Sequence, residues 1–190
     1  MKKLEDKISS EGIVSLGGIL KVDTFINQMI DTEVLEYVGE EIARRFEGEG
    51  ITKVLTLESS GIAFACETAR RLKVPAIFAR KYEYVTLDDS IYQSRFFSYT
   101  RRKEMVIRVG KQLIKDSDKV LIVDDFLANG SAAMGLIDIL KQAKAETIGV
   151  CVLIEKGFLP GRSKIEATGT RFEALVSIDS MDVGEIVFKK

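Results

Sequence analysis

The chain reads as an α/β protein built on a Rossmann-like, doubly wound and mostly parallel sheet. Three observations predict this fold. Apolar strand runs and helix-spaced segments alternate along the 190 residues, which implies parallel strands with helices on both faces. The run Val120-Leu-Ile-Val123 is fully apolar, as a buried strand requires, and leads through Asp124 and Asp125 into Asn129-Gly130-Ser131 and an amphipathic helix with Leu136, Ile137 and Leu140 on one face. The same order of strand, small-residue turn and helix occurs upstream, in Lys53-Val-Leu-Thr-Leu57, Ser59-Ser60-Gly61 and Ile62 to Leu72.

Taken in order, residues 1 to about 30 mix a charged start with Gly12, Gly17, Gly18 and the short apolar pair Ile19-Leu20, and read as an irregular cap or hood. Val34, Leu35, Val38, Ile42 and Phe46 then recur at helical spacing. Asp31 or Thr32 can cap this helix, and Gly48 and Gly50 end it. After the first strand-turn-helix unit, Pro75-Ala-Ile-Phe-Ala79 reads as a strand. From 81 to 104, aromatic, polar and charged residues alternate without helical period: Tyr82, Tyr84, Tyr92, Phe96, Phe97 and Tyr99, then Arg101-Arg102-Lys103. A long, flexible β-arm fits that texture, with Met105 to Val109 as its return strand and 81–109 as its approximate extent. The Val120 unit follows, and its helix runs to about Lys144. Thr147 to Ile154 is a strand, Lys156-Gly-Phe-Leu-Pro-Gly161 a turn, and a short helix follows Arg162. Strands near Leu175 and Ile186 finish the chain. No repeat or linker divides it, so one domain spanning 1–190 is expected.

Composition removes several classes of function. The 28 Lys and Arg balance the 29 Asp and Glu, leaving a net charge of −1. Nucleic-acid binding through a basic surface is therefore not expected. There is no histidine, which excludes a Ser-His-Asp triad, histidine metal sites and a histidine general base. Cys66 and Cys151 lie in apolar runs and read as buried, reduced thiols. No apolar stretch reaches membrane-spanning length, and Met1-Lys-Lys-Leu-Glu-Asp offers no hydrophobic export signal, so a cytoplasmic protein without membrane contact is expected.

The Val120 unit also carries chemistry. Backbone N–H groups at a tight turn and at a helix N-terminus receive a phosphate. Ionised carboxylates only accept hydrogen bonds, which suits vicinal hydroxyls or a divalent cation. An Asp-Asp pair alone would read as solvated loop carboxylates; after a buried strand and before Asn-Gly-Ser it points to a phosphorylated sugar.

Val120 to Ala132 resembles the thirteen-residue phosphoribosyl-pyrophosphate (PRPP) motif of the type I phosphoribosyltransferases. Glu58-Ser-Ser-Gly-Ile62 resembles their pyrophosphate loop. Arg80-Lys81, ending a strand before the arm, is similar to the adenine phosphoribosyltransferase-like branch, as is Leu153-Ile-Glu-Lys-Gly-Phe-Leu-Pro-Gly-Arg162 on the base side. Leu20-Lys-Val-Asp-Thr-Phe-Ile-Asn27 resembles the hood of the bacterial xanthine phosphoribosyltransferases. One departure is plain: where the common motif has Thr-Gly-Gly-Thr, this chain has Asn129-Gly130-Ser131-Ala132, a variant resembling the xanthine branch. Backbone amides can still hold the phosphate.

The resemblance implies the type I phosphoribosyltransferase fold, PRPP and xanthine as substrates, Mg²⁺ carried by PRPP without direct protein ligands, and a homodimer. It places the 5′-phosphate on Ala128, Asn129, Gly130, Ser131 and Ala132, and the ribose hydroxyls near Asp124 and Asp125. Ser59, Ser60 and Gly61 would face pyrophosphate, through a loop that often holds a non-proline cis peptide. A serine-capped helix start would explain the same residues without a ligand. Arg80 and Lys81 offer a guanidinium fork and a point charge to a polyanion; without the positional match they would read as solvated charges. Xanthine has two carbonyl oxygens, so donors must face it, and Asn27 and Lys156 supply them. Leu20 and Phe158 are candidates to sandwich the purine, against packing in the hood and in the core. Glu155 is a candidate proton acceptor, on a strand whose alternation can turn it away.

Two other readings stay open. Purine-operon repressors and RNA-binding attenuators share this fold and sense PRPP or a nucleotide. The repressors carry an added DNA-binding segment, where this chain has only its hood. Aromatics interleaved with Arg and Lys in the arm could also stack on RNA bases, although a lid and subunit contact fits them equally. Guanine or hypoxanthine could replace xanthine as substrate; adenine, with a donor at position 6, would be poorly served by Lys156.

Overall fold

The computed structural model describes residues 1–81, 90–98 and 102–189. Strands β1 (Ile13–Ser15) and β2 (Ile19–Lys21) pair as a hairpin. Strands β3 (Lys53–Leu57), β4 (Ala76–Ala79), β7 (Lys119–Leu127), β8 (Glu146–Lys156), β9 (Phe172–Asp182) and β10 (Glu185–Phe188) form the main sheet in the order β10-β9-β8-β7-β3-β4. All its neighbours are parallel except β10 against β9. Strands β5 (Ile91–Ser98) and β6 (Lys103–Gly110) make a separate antiparallel hairpin.

Helices α1 (Lys2–Glu11), α2 (Thr32–Arg45) and α3 (Gly61–Leu72) share one core with one sheet face, where Val54, Leu121, Val123, Cys151 and Leu153 meet Ile8, Val38, Ile42 and Phe64. Helices α4 (Ser131–Ala143) and α5 (Gly161–Glu166) share the other core with Leu55, Ile122, Val150 and Val152. The near-continuous apolar runs of β7 and β8 follow from this double cover.

The helix α2 starts as the sequence predicts: the Asp31 carboxylate accepts from the N–H groups of Glu33 at 2.9 Å and Val34 at 3.3 Å. Several expectations need correction. The N-terminal 30 residues are not irregular: α1, the β1–β2 hairpin and a π-type turn over Asp23–Asn27 fill them. Only Leu4 and Ile8 of α1 are buried, so its apolar stripe is too thin to read in a polar segment. The acid pair does not end its strand; β7 runs on to Leu127, pairing with Glu155 of β8. Cys66 is exposed, whereas Cys151 is buried, and both are free thiols. Apolar neighbours in sequence bury a strand residue, but in a helix each step turns the side chain by about 100°.

The β5–β6 hairpin confirms strands in the expected arm. It lies on α4, where Gly135 leaves room: a Cβ there would stand 3.1 Å from Ile107 and Phe96. Gln142 of α4 donates to the Gln93 carbonyl at 2.8 Å. Tyr82, Tyr84, Tyr99 and Arg101 of the expected arm lie outside the described residues, and so does its expected flexibility between them.

Candidate active site

The carboxyl ends of β3, β4 and β7 open on one cleft, the expected place for a ligand in a parallel sheet. Leu57, Glu58, Ser59 and Ser60 line it from β3 and its loop, Lys81 from beyond β4, Asp124 to Phe126 from β7, and Phe96, Ser98 and Met105 from the hairpin; the volume is about 380 Å³. A second hollow of about 190 Å³ lies over Ala128 to Ala133 and shares Phe96, Ser98, Phe126 and Ala132 with the first. Through these shared residues the two hollows form one trough.

The acids occupy different environments. Asp124 is buried, and loss of solvent pushes its carboxyl well above the usual carboxylate range, with the charge of Asp125 adding to the rise and Lys81 opposing it. One Asp124 oxygen accepts the Asp125 N–H at 3.0 Å. Asp125 in turn accepts the Phe126 N–H at 2.9 Å and, through its other oxygen, the Asn27 amide at 3.1 Å. Gly61 is required here: its Cβ would come 2.8 Å from Asp124 Oδ1 and 2.3 Å from the Thr56 hydroxyl.

The loop before α3 contains a cis peptide between Glu58 and Ser59, as the resemblance implies. Ser60 does not cap α3 with its side chain; its hydroxyl instead accepts from the Asn27 amide at 3.3 Å. The capping alternative therefore fails. Glu58, quoted in the motif but given no role there, organises the next strand end. Its carboxylate accepts the Lys81 N–H and stands 3.9 Å from Arg80 Nε.

At the second hollow Gly130 has φ +77°, a conformation suited to glycine, and no side chain caps the α4 N-terminus. Amide donors of the first turn are then left for a ligand. A Cβ on Gly130 would lie 3.0 Å from Gly161 Cα, so α5 backs directly onto this turn. Gly161 N–H donates to the Ala128 carbonyl at 3.0 Å and Lys164 to the Asn129 carbonyl at 2.9 Å. Sequence reasoning missed Lys164 because its partner lies 35 residues away.

The expected base-side residues are less gathered. Asn27 joins the cleft through Asp125 and Ser60. Lys156 Nζ reaches the Gly18 carbonyl of the β1–β2 turn at 3.2 Å, and burial lowers its pKa below the ordinary lysine value. Phe158 is 48% exposed and is not a core aromatic. Leu20 is buried within the hood, packed toward Gly12 and opposite Val14. Glu155 is turned away from the trough and is held by Arg162. Among the described residues no cluster of three or more His, Cys, Asp or Glu could hold a metal, and no helix is long and apolar enough to cross a membrane.

Residues 30–171 match the family model described as the phosphoribosyl transferase domain. The chain is 47% identical, with full coverage of both chains, to the xanthine phosphoribosyltransferase of Acinetobacter baumannii and to that of Clostridium novyi. The fold is similar to solved adenine phosphoribosyltransferases. That of Giardia lamblia, complexed with 9-deazaadenine, gives a TM-score of 0.77 at 24% identity, covering 92% of this chain and 97% of that one. That of Trypanosoma brucei, in complex with AMP, pyrophosphate and ribose-5-phosphate, gives 0.78 at 19%, covering 92% and 79%.

Proposed function

The chain belongs to the phosphoribosyltransferase family, and from that premise we propose that it converts xanthine and PRPP to xanthosine 5′-monophosphate (XMP) and pyrophosphate, in purine salvage. The observation that carries this reading is the trough: a buried Asp124 and a half-buried Asp125 lie between two helix N-termini without side-chain caps, with Ser59, Ser60 and Lys81 lining one hollow and Ala128 to Ala132 the other. A donor with a phosphate at one end and a diphosphate at the other suits two helix N-termini on either side of the acids. The 47% identity to xanthine phosphoribosyltransferases supports the choice of base.

In this reading Ala128 to Ala132 hold the 5′-phosphate on backbone amides, and Asp124 and Asp125 accept from the ribose hydroxyls. Ser59, Ser60, Gly61, Arg80 and Lys81 receive the diphosphate. Mg²⁺ would enter as part of the donor and would lower the charge of the leaving group. A purine nitrogen attacks C1 of the ribose as the C1–O bond to diphosphate breaks, with inversion. Positive charge develops on the sugar and negative charge on the leaving group. The protein's part is to align the reactants and stabilise that separation.

Lys156 and Asn27 would donate to the carbonyl oxygens of the base. A desolvated ammonium gains most from an anionic partner, which favours the xanthine anion, the better nucleophile. Phe158, with its exposed ring, would cover a purine, and Leu20, buried in the hood, would support the residues around it. The hairpin β5–β6 would close over the sugar and exclude water. A homodimer in the cytoplasm is the assembly and location this reading expects. The test is pyrophosphate release from Mg²⁺ and PRPP with xanthine, guanine, hypoxanthine, adenine and uracil in turn. Xanthine should give the highest kcat/KM. Release with none of the five would refute the reading, and a higher kcat/KM for guanine or hypoxanthine would replace the base.

A further inference from the structure

Glu155 is a charged side chain with only 2% exposure, inside the sheet at the end of β8. Arg162 grips it with both arms of its fork, Nε to Oε1 at 2.8 Å and Nη2 to Oε2 at 2.6 Å. The guanidinium also stacks over the Phe172 ring at 4.5 Å. Such a pair contributes little net stability, because desolvation of both charges offsets their attraction. Its value must therefore be sought in what it fixes.

Two attachments meet at this pair. Lys156 follows Glu155 in β8, so the two side chains leave opposite faces of the sheet. Glu155 points down to α5, while Lys156 points up to the Gly18 carbonyl of the hood. Arg162 follows Gly161, whose N–H holds the Ala128 carbonyl and whose Cα would touch any Cβ on Gly130. The ion pair thus joins the strand end carrying Lys156 to the helix start that braces the phosphate turn. The intervening Gly157 to Pro160 turn is exposed over most of its length, and its backbone bonds run to Ile178, Lys156 and Lys164 rather than to the phosphate turn.

We infer that Glu155 and Arg162 are positioning residues that set the distance between the base-reading Lys156 and the 5′-phosphate turn. The inference rests on the proposed base and donor sites. Without the pair, Lys156 and the phosphate turn each keep their own contacts, but the purine and the ribose lose their common register. A ligand that touches both Lys156 and the phosphate turn should then suffer more than PRPP, which touches the phosphate turn but not Lys156.

The test uses two variants of the full chain. In Glu155→Met with Arg162→Met no buried charge is left unpaired; Arg162→Lys keeps the charge but loses the fork. Both should raise KM for xanthine and Kd for XMP about tenfold and lower kcat, while Kd for PRPP stays within about twofold of the unchanged protein. A loss of packing alone would lower Tm and weaken PRPP along with the other ligands, and that pattern overturns the inference. Unchanged xanthine and XMP constants in a folded variant also overturn it; if the double variant does not fold, Arg162→Lys is read by the same criteria. Absence of xanthine turnover in the unchanged protein is a separate result, which refutes the base assignment and this inference with it.

Discussion

In the proposed reading, the phosphate end and the base end of the site are built in opposite ways. The phosphate end is local. Val120 to Ala132 supplies strand, acids, turn and helix start in one run, and the contacts it offers are largely backbone amides, set by Gly130 at φ +77°. The base end is assembled from a distance. Lys156 meets Gly18 across 138 residues and Asn27 meets Asp125 across 98. A site made of backbone amides would survive side-chain exchange, which the proposed reading requires of Asn129-Gly130-Ser131-Ala132. A site made of side chains would carry the choice of base and change with each of them.

The comparison can be broken most severely at the acids. Replacing Asp124 and Asp125 together with Asn should lower kcat/KM by about 10³-fold or more, since groups facing developing charge do most to lower the barrier. The single change Asp124→Asn should at the same time stabilise the fold near neutral pH. The sign follows from the raised pKa of Asp124. The folded state holds a proton that the unfolded chain releases above the ordinary value of 3.8, so stability falls as pH rises through that interval. An amide removes the penalty, and Tm should rise by about 2–4 °C per kcal/mol recovered. Thermal scans from pH 4 to 8 check this: the gain should grow with pH, and a gain independent of pH would deny that Asp124 is the group concerned.

At the phosphate end, Gly130→Val demands a β-branched residue in a left-handed conformation, 3.0 Å from Gly161. PRPP affinity by calorimetry should fall about 100-fold or more, with xanthine affinity less affected. Retained PRPP affinity would remove the turn from phosphate binding. At the base end, Lys156→Ala deletes a hydrogen bond from a charged group, worth about 1.5–3 kcal/mol. KM for xanthine should rise about 10- to 100-fold and KM for PRPP by less than about twofold. Equal rises in both would mean that Lys156 does not read the base. Asn27→Ala should give the smallest and most mixed effect, a few-fold in both constants, because its amide touches Asp125 and Ser60 of the sugar side. A change confined to xanthine would separate Asn27 from the acids.

The same contrast explains what the sequence could show. The alternation of β3, α3, β4 and of β7, α4, β8 was legible because buried parallel strands leave contiguous apolar runs. Asp31 was legible as a cap because its partners are its neighbours. The length of β7 was not: its ladder with β8 continues through polar residues that look like a strand end. The burial of Asp124 and the partnership of Glu155 with Arg162 depend on which face a side chain takes. Strand alternation allows that the Glu155 carboxylate faces away, but only packing of α5 says what meets it. Cys66 failed for the same reason in a helix. Asn27 was read as a donor to a base, and nothing in its surroundings announced a hydrogen bond to Asp125.

The most direct measurement is a crystal structure of the protein soaked with Mg²⁺ and PRPP. The 5′-phosphate should sit on the amides of Ala128 to Ala132, the ribose hydroxyls against Asp124 and Asp125, and the diphosphate between Ser59 to Gly61 and Lys81. A trough left empty at saturating donor, or a donor bound with its phosphate away from Gly130, would contradict the assignment of this site.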